Sequence, residues 1–290
     1  MLTFFTAAKP FRGATAVHQR NALRSWLAAA PGSEVLLFGD EEGSAETAAE
    51  LGLRHFPDVP RNAYGTPLLD AIFATAQREA RHPILCYANA DVVLLPAFAA
   101  AVQRLAGWPR FAVVGRRVTI AIDEPIDFVP GWDERFQRAI PRILRRGRGS
   151  ALDYFAFRRG VIGPMPPFVI GRPAWDNWLV AHLRRSGVPL VDATPVVFAI
   201  HARHGYGHVA AARGGRWEGP EADANRALAS ADIPGFRAGL YTTWSAGWLL
   251  LPNRIVPALT WRHVASRARM TFWETRERIR STLRRLRKRR

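Results

Sequence analysis

Two metal-capable oxygens stand two residues apart in Asn89-Ala90-Asp91, just past the apolar run Ile84-Leu85-Cys86-Tyr87. That run is short and opens at Pro83, so it reads as a buried strand. In open α/β sheets, ligands dock beyond the carboxyl ends of strands. An Asn-x-Asp at such an end is placed to hold a divalent cation against a diphosphate. The same pair also suits a turn that leads into, and caps, a helix starting near Pro96.

Four other groups of residues carry chemistry. Asp40 follows the predicted strand Glu34–Phe38; there it accepts hydrogen bonds from a nucleobase or ribose, or caps its own turn. Arg61 and Asn62 precede a helix expected to start at Thr66-Pro67. Helix N-termini attract phosphate and arginine grips it with a planar fork, though a solvated loop arginine reads the same way. Trp175-Asp176-Asn177-Trp178 opens a helix predicted over 173–186. Asp176 falls in its first turn, where the helix dipole favours a charged carboxylate. Such a group is suited to taking a proton from a sugar hydroxyl, with Trp175 offering an aromatic wall. The plainer reading has Asp176 complementing its own helix and the tryptophans filling core. Last, His201, His204, Tyr206 and His208 cluster after a strand ending at Ile200. At most one of these histidines is read as a metal ligand, because their spacing is not that of a His-Glu-x-x-His zinc helix.

The elements that must position these groups alternate. Strands are expected at 2–6, 34–38, 53–56, within the run 83–96 and at 111–114. Helices are expected at 18–29, 44–51, from 66, and at 96–105. That alternation implies a parallel sheet with helices on both faces. There is no Gly-x-Gly-x-x-Gly and no Walker sequence, which disfavours dinucleotide and P-loop folds. The second half is less regular, with strands read at 153–158 and within 189–200. Residues 210–235 read as rich in glycine, alanine and charge, with a loop near 213–220.

Composition narrows the field. In 290 residues, 48% are hydrophobic and ten are Trp, enough for a substantial core with aromatic pockets. The single cysteine, Cys86, forms no internal disulfide and suits a reducing compartment. The N-terminus lacks a basic then apolar leader, and no apolar run is long enough to span a bilayer. The net charge is +17, of which residues 254–290 carry +11.

Taken together, Leu37-Phe-Gly-Asp-Glu-Glu-Gly43, Asn89-Ala-Asp91, Asp153-Tyr-Phe155, Gly171-Arg-Pro-Ala-Trp-Asp-Asn-Trp178 and Ile200-His201 resemble a nucleotide-sugar glycosyltransferase of the GT-A type, loosely family 2-like. The resemblance spans roughly residues 1–230. It implies a Rossmann-like α/β fold, a nucleotide-diphosphate sugar donor and a divalent cation, Mn2+ or Mg2+. By that likeness Asp91 holds the metal, with Asn89 where a first Asp is usual and His201 as a further ligand. Asp40, Arg61, Asn62, Asn89, Asp153, Tyr154 and Trp175 line the donor site, and Asp176 is the catalytic acid–base residue. The acceptor is a glycan or a lipid-linked molecule.

Two units are expected: residues 1–235 as the transferase domain, and 236–290 as an apolar, then Arg-rich amphipathic segment. A basic amphipathic helix with Trp and Leu points to an anionic membrane surface. Nucleic acid is disfavoured, because phosphate binding needs no apolar anchor. The expected location is cytoplasmic, peripheral on the inner face of a membrane. Two other readings remain at this stage. A nucleotidyltransferase expects a Gly/Arg/Lys-rich loop after the first strand, where only Lys9, Arg12 and Gly13 stand. A non-catalytic membrane- or RNA-binding module keeps a degenerate sugar-nucleotide fold.

Overall fold

The computed structural model describes residues 1–140, 148–203 and 217–288. Its element order is β1 (Thr3–Ala7), α1 (Gly13–Ala29), β2 (Glu34–Phe38), α2 (Ser44–Leu51), β3 (Arg54–Phe56), α3 (Leu69–Glu79), β4 (Ile84–Ala88), β5 (Val92–Leu94), α4 (Pro96–Gln103), β6 (Ala112–Val114) and β7 (Arg117–Ile120). There follow α5 (Trp132–Ala139), β8 (Tyr154–Arg158), α6 (Trp175–Arg185), β9 (Leu190–Asp192), β10 (Ala199–Ala202), α7 (Pro220–Asp232), β11 (Trp248–Leu250), β12 (Ile255–Pro257) and α8 (Trp261–Lys288).

The main sheet has nine strands in the order β12-β11-β9-β6-β8-β4-β1-β2-β3. Most neighbours run parallel, and helices cover both faces, as the alternation of strand and helix implies. The exceptions are β8, which runs antiparallel between β4 and β6, and the edge strand β12. All five residues of β4 are buried, as a strand covered on both faces requires. Side chains alternate across it. Leu85 and Tyr87 join Phe5, Phe73 and Trp178 in one core layer, whereas Cys86 and Ala88 join Phe4, Trp26 and Phe98 in the other. Trp26 stacks on Phe4 with ring centres 5.5 Å apart. Its indole N–H donates to the Val92 carbonyl at 2.8 Å, so the buried polar edge is satisfied.

A second sheet, β5-β10-β7, stands beyond the end of β4. The apolar run 83–96 is therefore two strands of different sheets, broken at Asn89-Ala90-Asp91. The expected strand within 189–200 likewise divides into β9 of the main sheet and β10 of the small one.

Other boundaries shift for local reasons. The helix expected from Thr66 starts at Leu69, because Pro67 and Leu68 are drawn into bridges with Arg61 and Val169. Helix α1 begins at Gly13 rather than His18. Helix α7 lies in the stretch read only as Gly, Ala and charge; Pro at its first turn, with Glu221 and Asp223, was the available start signal. Beyond 235 the chain adds β11 and β12 to the main sheet and then lays α8 against two short 3-10 turns at 238–240 and 243–245.

Candidate functional site

The carboxyl ends of β2, β1 and β4 emerge side by side, and the antiparallel β8 brings its first residues to the same edge. The register sets Ala88 opposite Tyr154, so Asp153 meets Asn89. The Asn89 amide N–H donates to the Asp153 carbonyl at 2.9 Å, and Asn89 Nδ2 donates to Asp153 Oδ1 at 3.0 Å. Asp153 is also paired with the Arg117 guanidinium from β7. The small sheet performs a second placement. Its antiparallel register sets His201 opposite Val92, next to Asp91. His201 Nε2 lies 3.6 Å from Asp91 Oδ1, and both residues are buried. Lys9, from the loop after β1, brings Nζ to 3.4 Å from Asp91 Oδ2. The Lys9 backbone is held in turn by Gln19, which donates to its carbonyl at 2.8 Å and accepts from its amide at 2.7 Å.

Tyr87 binds these parts together. Its hydroxyl donates to Asn89 Oδ1 at 3.1 Å. Burial, then the negative charges of Asp91, Asp153 and Asp176, hold the phenol far above its ordinary pKa, so it stays protonated. Asp153 just before β8, Asp176 on α6 and Asp91 in the β4–β5 turn thus all act on this phenol through their charge. The capping alternative for Asn89 and Asp91 is not realised: the N-cap of α4 is Leu95, and no side chain caps it.

Asp176 sits in the first turn of α6 and accepts a hydrogen bond from the Asn177 amide at 2.9 Å. The residue before this helix, Ala174, has φ 85°, the one positive φ outside glycine among the described residues. A left-handed alanine costs on the order of 1–3 kcal/mol and marks a turn held in place by its surroundings. Trp175 is nearly enclosed, edge-on to Tyr87 at 5.1 Å and beside Phe155 at 5.8 Å. It is packed into the core rather than standing as an open aromatic wall. Tyr154 is fully buried against Phe98 in the layer on the other side of the sheet, away from Tyr87. A donor reaches neither ring without displacing core.

Asp40 is exposed at the end of β2 and pairs with Arg61, which also donates to Glu41 at 3.0 Å and to the Gly65 carbonyl at 2.9 Å. Burial lowers the Arg61 pKa and the two carboxylates raise it, with a net rise, so its charge is secure. Strands β2 and β4 are separated only by β1, which puts the two strand ends that precede Asp40 and the Asn89–Asp91 turn on one edge about 10 Å apart. Asn62 is occupied internally. Its Oδ1 accepts from the Tyr64 and Thr66 amides at 2.9 Å each, and its Nδ2 donates to Glu221 at 2.7 Å. Glu221 in turn accepts from Arg172, with Nε at 3.0 Å, inside the protein. Arg172, Glu221 and Asn62 thus knot the loop carrying Arg61, the approach to Asp176 and the start of α7.

Sequence reasoning missed Lys9, Tyr87, Arg117, Arg172 and Glu221 as parts of this assembly. Lys9 had a signal, being one of two lysines in an Arg-rich chain. His204, Tyr206 and His208 lie outside the described residues.

A divalent ion needs oxygen or imidazole donors left open to it. Among the described residues, no three His, Cys, Asp or Glu side chains gather as a cage. Asp91 and His201 do form a carboxylate–imidazole pair. A cation held there would share Asp91 with Lys9 and take its remaining oxygens from substrate phosphates and water, since the Asn89 side chain is engaged by Tyr87 and Asp153.

No protein-family model matches the chain, and no curated protein matches it. Several solved structures are similar in arrangement. A mannosyltransferase from Pyrobaculum calidifontis, in complex with GDP-Man and Mn2+, is 16% identical, with a TM-score of 0.43 over 71% of this chain and 58% of that one. Glucosyl-3-phosphoglycerate synthase from Mycobacterium tuberculosis, with Mg2+ and UDP, is 11% identical, with a TM-score of 0.45 over 71% and 72%. S. aureus TarS is 9% identical, with a TM-score of 0.45 over 70% and 36%. The chain therefore spans little more than half of the first of these proteins and about a third of the last.

Proposed function

We propose that this chain is a glycosyltransferase that moves a sugar, a hexose in the simplest case, from a nucleotide-diphosphate donor to a glycan or lipid-linked acceptor. The observation that carries the reading is the charged cluster at the end of β4, where Asp91 lies against Lys9 and His201 and Asp153 against Asn89 and Arg117. Departure of a nucleoside diphosphate concentrates negative charge at one point, and cations beside a strand end offset it. In this reading Lys9 and Arg117 face the diphosphate. Asp91 and His201 hold a divalent ion whose contribution is to neutralise the leaving group. Asp40 and Arg61 contact the nucleoside end of the donor. Asp176, in the first turn of its helix, takes the proton of the acceptor hydroxyl if the anomeric centre inverts.

Product analysis tests this against the nucleotidyltransferase alternative. Purified protein is incubated with Mn2+ and a panel of nucleotide sugars and candidate acceptors, and in parallel with nucleoside triphosphates and sugar phosphates. Release of nucleoside diphosphate supports glycosyl transfer; release of pyrophosphate from a nucleoside triphosphate and a sugar phosphate contradicts it.

A further inference from the structure

Helix α8 has two faces that need partners, and among the described residues only one of them has one. The inner face is fixed to the body. His263, Ser266 and Met270 are buried, and His263 lies 3.3 Å from Asp192 at the end of β9. Arg267 donates to the carbonyls of Ala246 and Ala258 at 3.0 and 2.8 Å. Glu274 accepts from the Tyr241 hydroxyl at 3.0 Å, and the Trp273 indole donates to the Gly235 carbonyl at 3.0 Å.

The opposite face is apolar and bare. Trp261, Val264, Ala268, Phe272, Ile279 and Leu283 recur at helical spacing. Trp261 is 74% exposed, Phe272 67% and Ile279 56%. Arginines flank this stripe on both sides: Arg262, Arg269, Arg276 and Arg280 along one, Arg278 along the other. Both acids of the helix, Glu274 and Glu277, lie on the inner side, where they are partly buried. The helix carries a net charge of +8.

We propose that this outward face of α8 docks on an anionic lipid bilayer, with the helix lying in the plane of the surface. An apolar stripe rimmed by cations matches a layer of hydrocarbon beneath negative headgroups. A second copy of the chain is a poorer fit, since pairing two such helices sets arginine rims against each other with no outward acid to offset them. An RNA strand leaves the apolar stripe unused.

The full chain is mixed with vesicles of pure phosphatidylcholine, or of phosphatidylcholine with one quarter phosphatidylglycerol, and sedimented without substrate. The proposal expects binding to the anionic vesicles at least about tenfold stronger than to neutral ones, weakening with salt. Phe272→Ser with Ile279→Ser is expected to reduce it at least about tenfold while far-UV circular dichroism stays unchanged. Arg269→Gln with Arg280→Gln gives an independent reduction of about tenfold or more, since each interfacial arginine is worth about fivefold. Equal binding by wild type and the Ser variant overturns the proposal. So does no binding to anionic vesicles, a wild-type dimer that the Ser variant dissolves, or displacement of the vesicles by RNA. Because no donor is present, failure here leaves the transferase reading untouched, and the converse holds.

Discussion

Removing the guanidinium from the Arg172–Glu221–Asn62 knot tests how the candidate site is held together. Glu221 is 1% exposed and Arg172 8%, so the carboxylate depends on its partners rather than on water. Arg172→Met leaves that carboxylate buried with the hydrogen bonds from Asn62 and Thr66 but without the guanidinium. Breaking a buried pair from one side costs about 3–5 kcal/mol, whereas replacing both partners with apolar residues of similar volume is often close to neutral. The single variant should therefore lose about 3–5 kcal/mol, and Arg172→Met with Glu221→Met should recover most of it. Thermal and urea unfolding followed by far-UV circular dichroism at pH 7.5 measure both, with a midpoint lowered by on the order of 10 °C in the single variant. The reasoning is refuted if Arg172→Met unfolds within about 1 kcal/mol of wild type, or if the double variant is as unstable as the sum of the two single ones.

Three further outcomes are expected. Burial raises the Glu221 pKa and hydrogen bonds from Thr66, Asn62 and Arg172 lower it, with a net fall below the ordinary 4.5. Its stabilisation is then complete above that value and is lost as pH falls through the lower folded pKa, so the stability gap between wild type and Glu221→Gln should shrink below pH 4.5 in acid titrations. Gly115→Ala puts a Cβ 2.1 Å from the enclosed Tyr154 hydroxyl, and calorimetry should show a loss of about 1–3 kcal/mol; an unchanged midpoint contradicts that packing. Asp176→Asn should lower turnover by about 10²–10⁴ while leaving nucleotide affinity within a few-fold, and retained turnover removes Asp176 from the chemistry.

The first half of the fold was readable because its signals are local. Strand β2 falls where its apolar run and the following Gly39-Asp40 turn put it, and α2 spans 44–51 as expected, although Gly43 and not Ser44 stands at its N-cap. The break of the 83–96 run was not readable. Ile84–Ala88 and Val92–Leu94 are equally apolar, and only the pairing of β5 with β10, more than a hundred residues on, assigns it to another sheet. The same long-range pairing hides Arg117 and His201 from each other in the sequence. The antiparallel course of β8 leaves no trace in its side-chain pattern, because a strand buried on both faces is apolar in either direction. Trp175 shows the limit of reading an aromatic residue as a ligand wall, since it fills core, and Tyr154, put in the donor site by resemblance, is enclosed as well. Asn62 shows the same for polar groups, since its hydrogen-bonding capacity goes to its own turn and to Glu221.

The central claim is that the end of β4 receives a cation-bridged diphosphate. Thermal unfolding with nucleoside diphosphate, with and without Mn2+, compares wild type with Asp91→Ala. Ligand binding at 100 times its Kd stabilises by about 2.7 kcal/mol. The account predicts a raised midpoint for wild type that depends on Mn2+ and disappears in Asp91→Ala, with the unliganded variant still folded. A raised midpoint of equal size in both proteins, or none in wild type with any nucleotide tested, contradicts it.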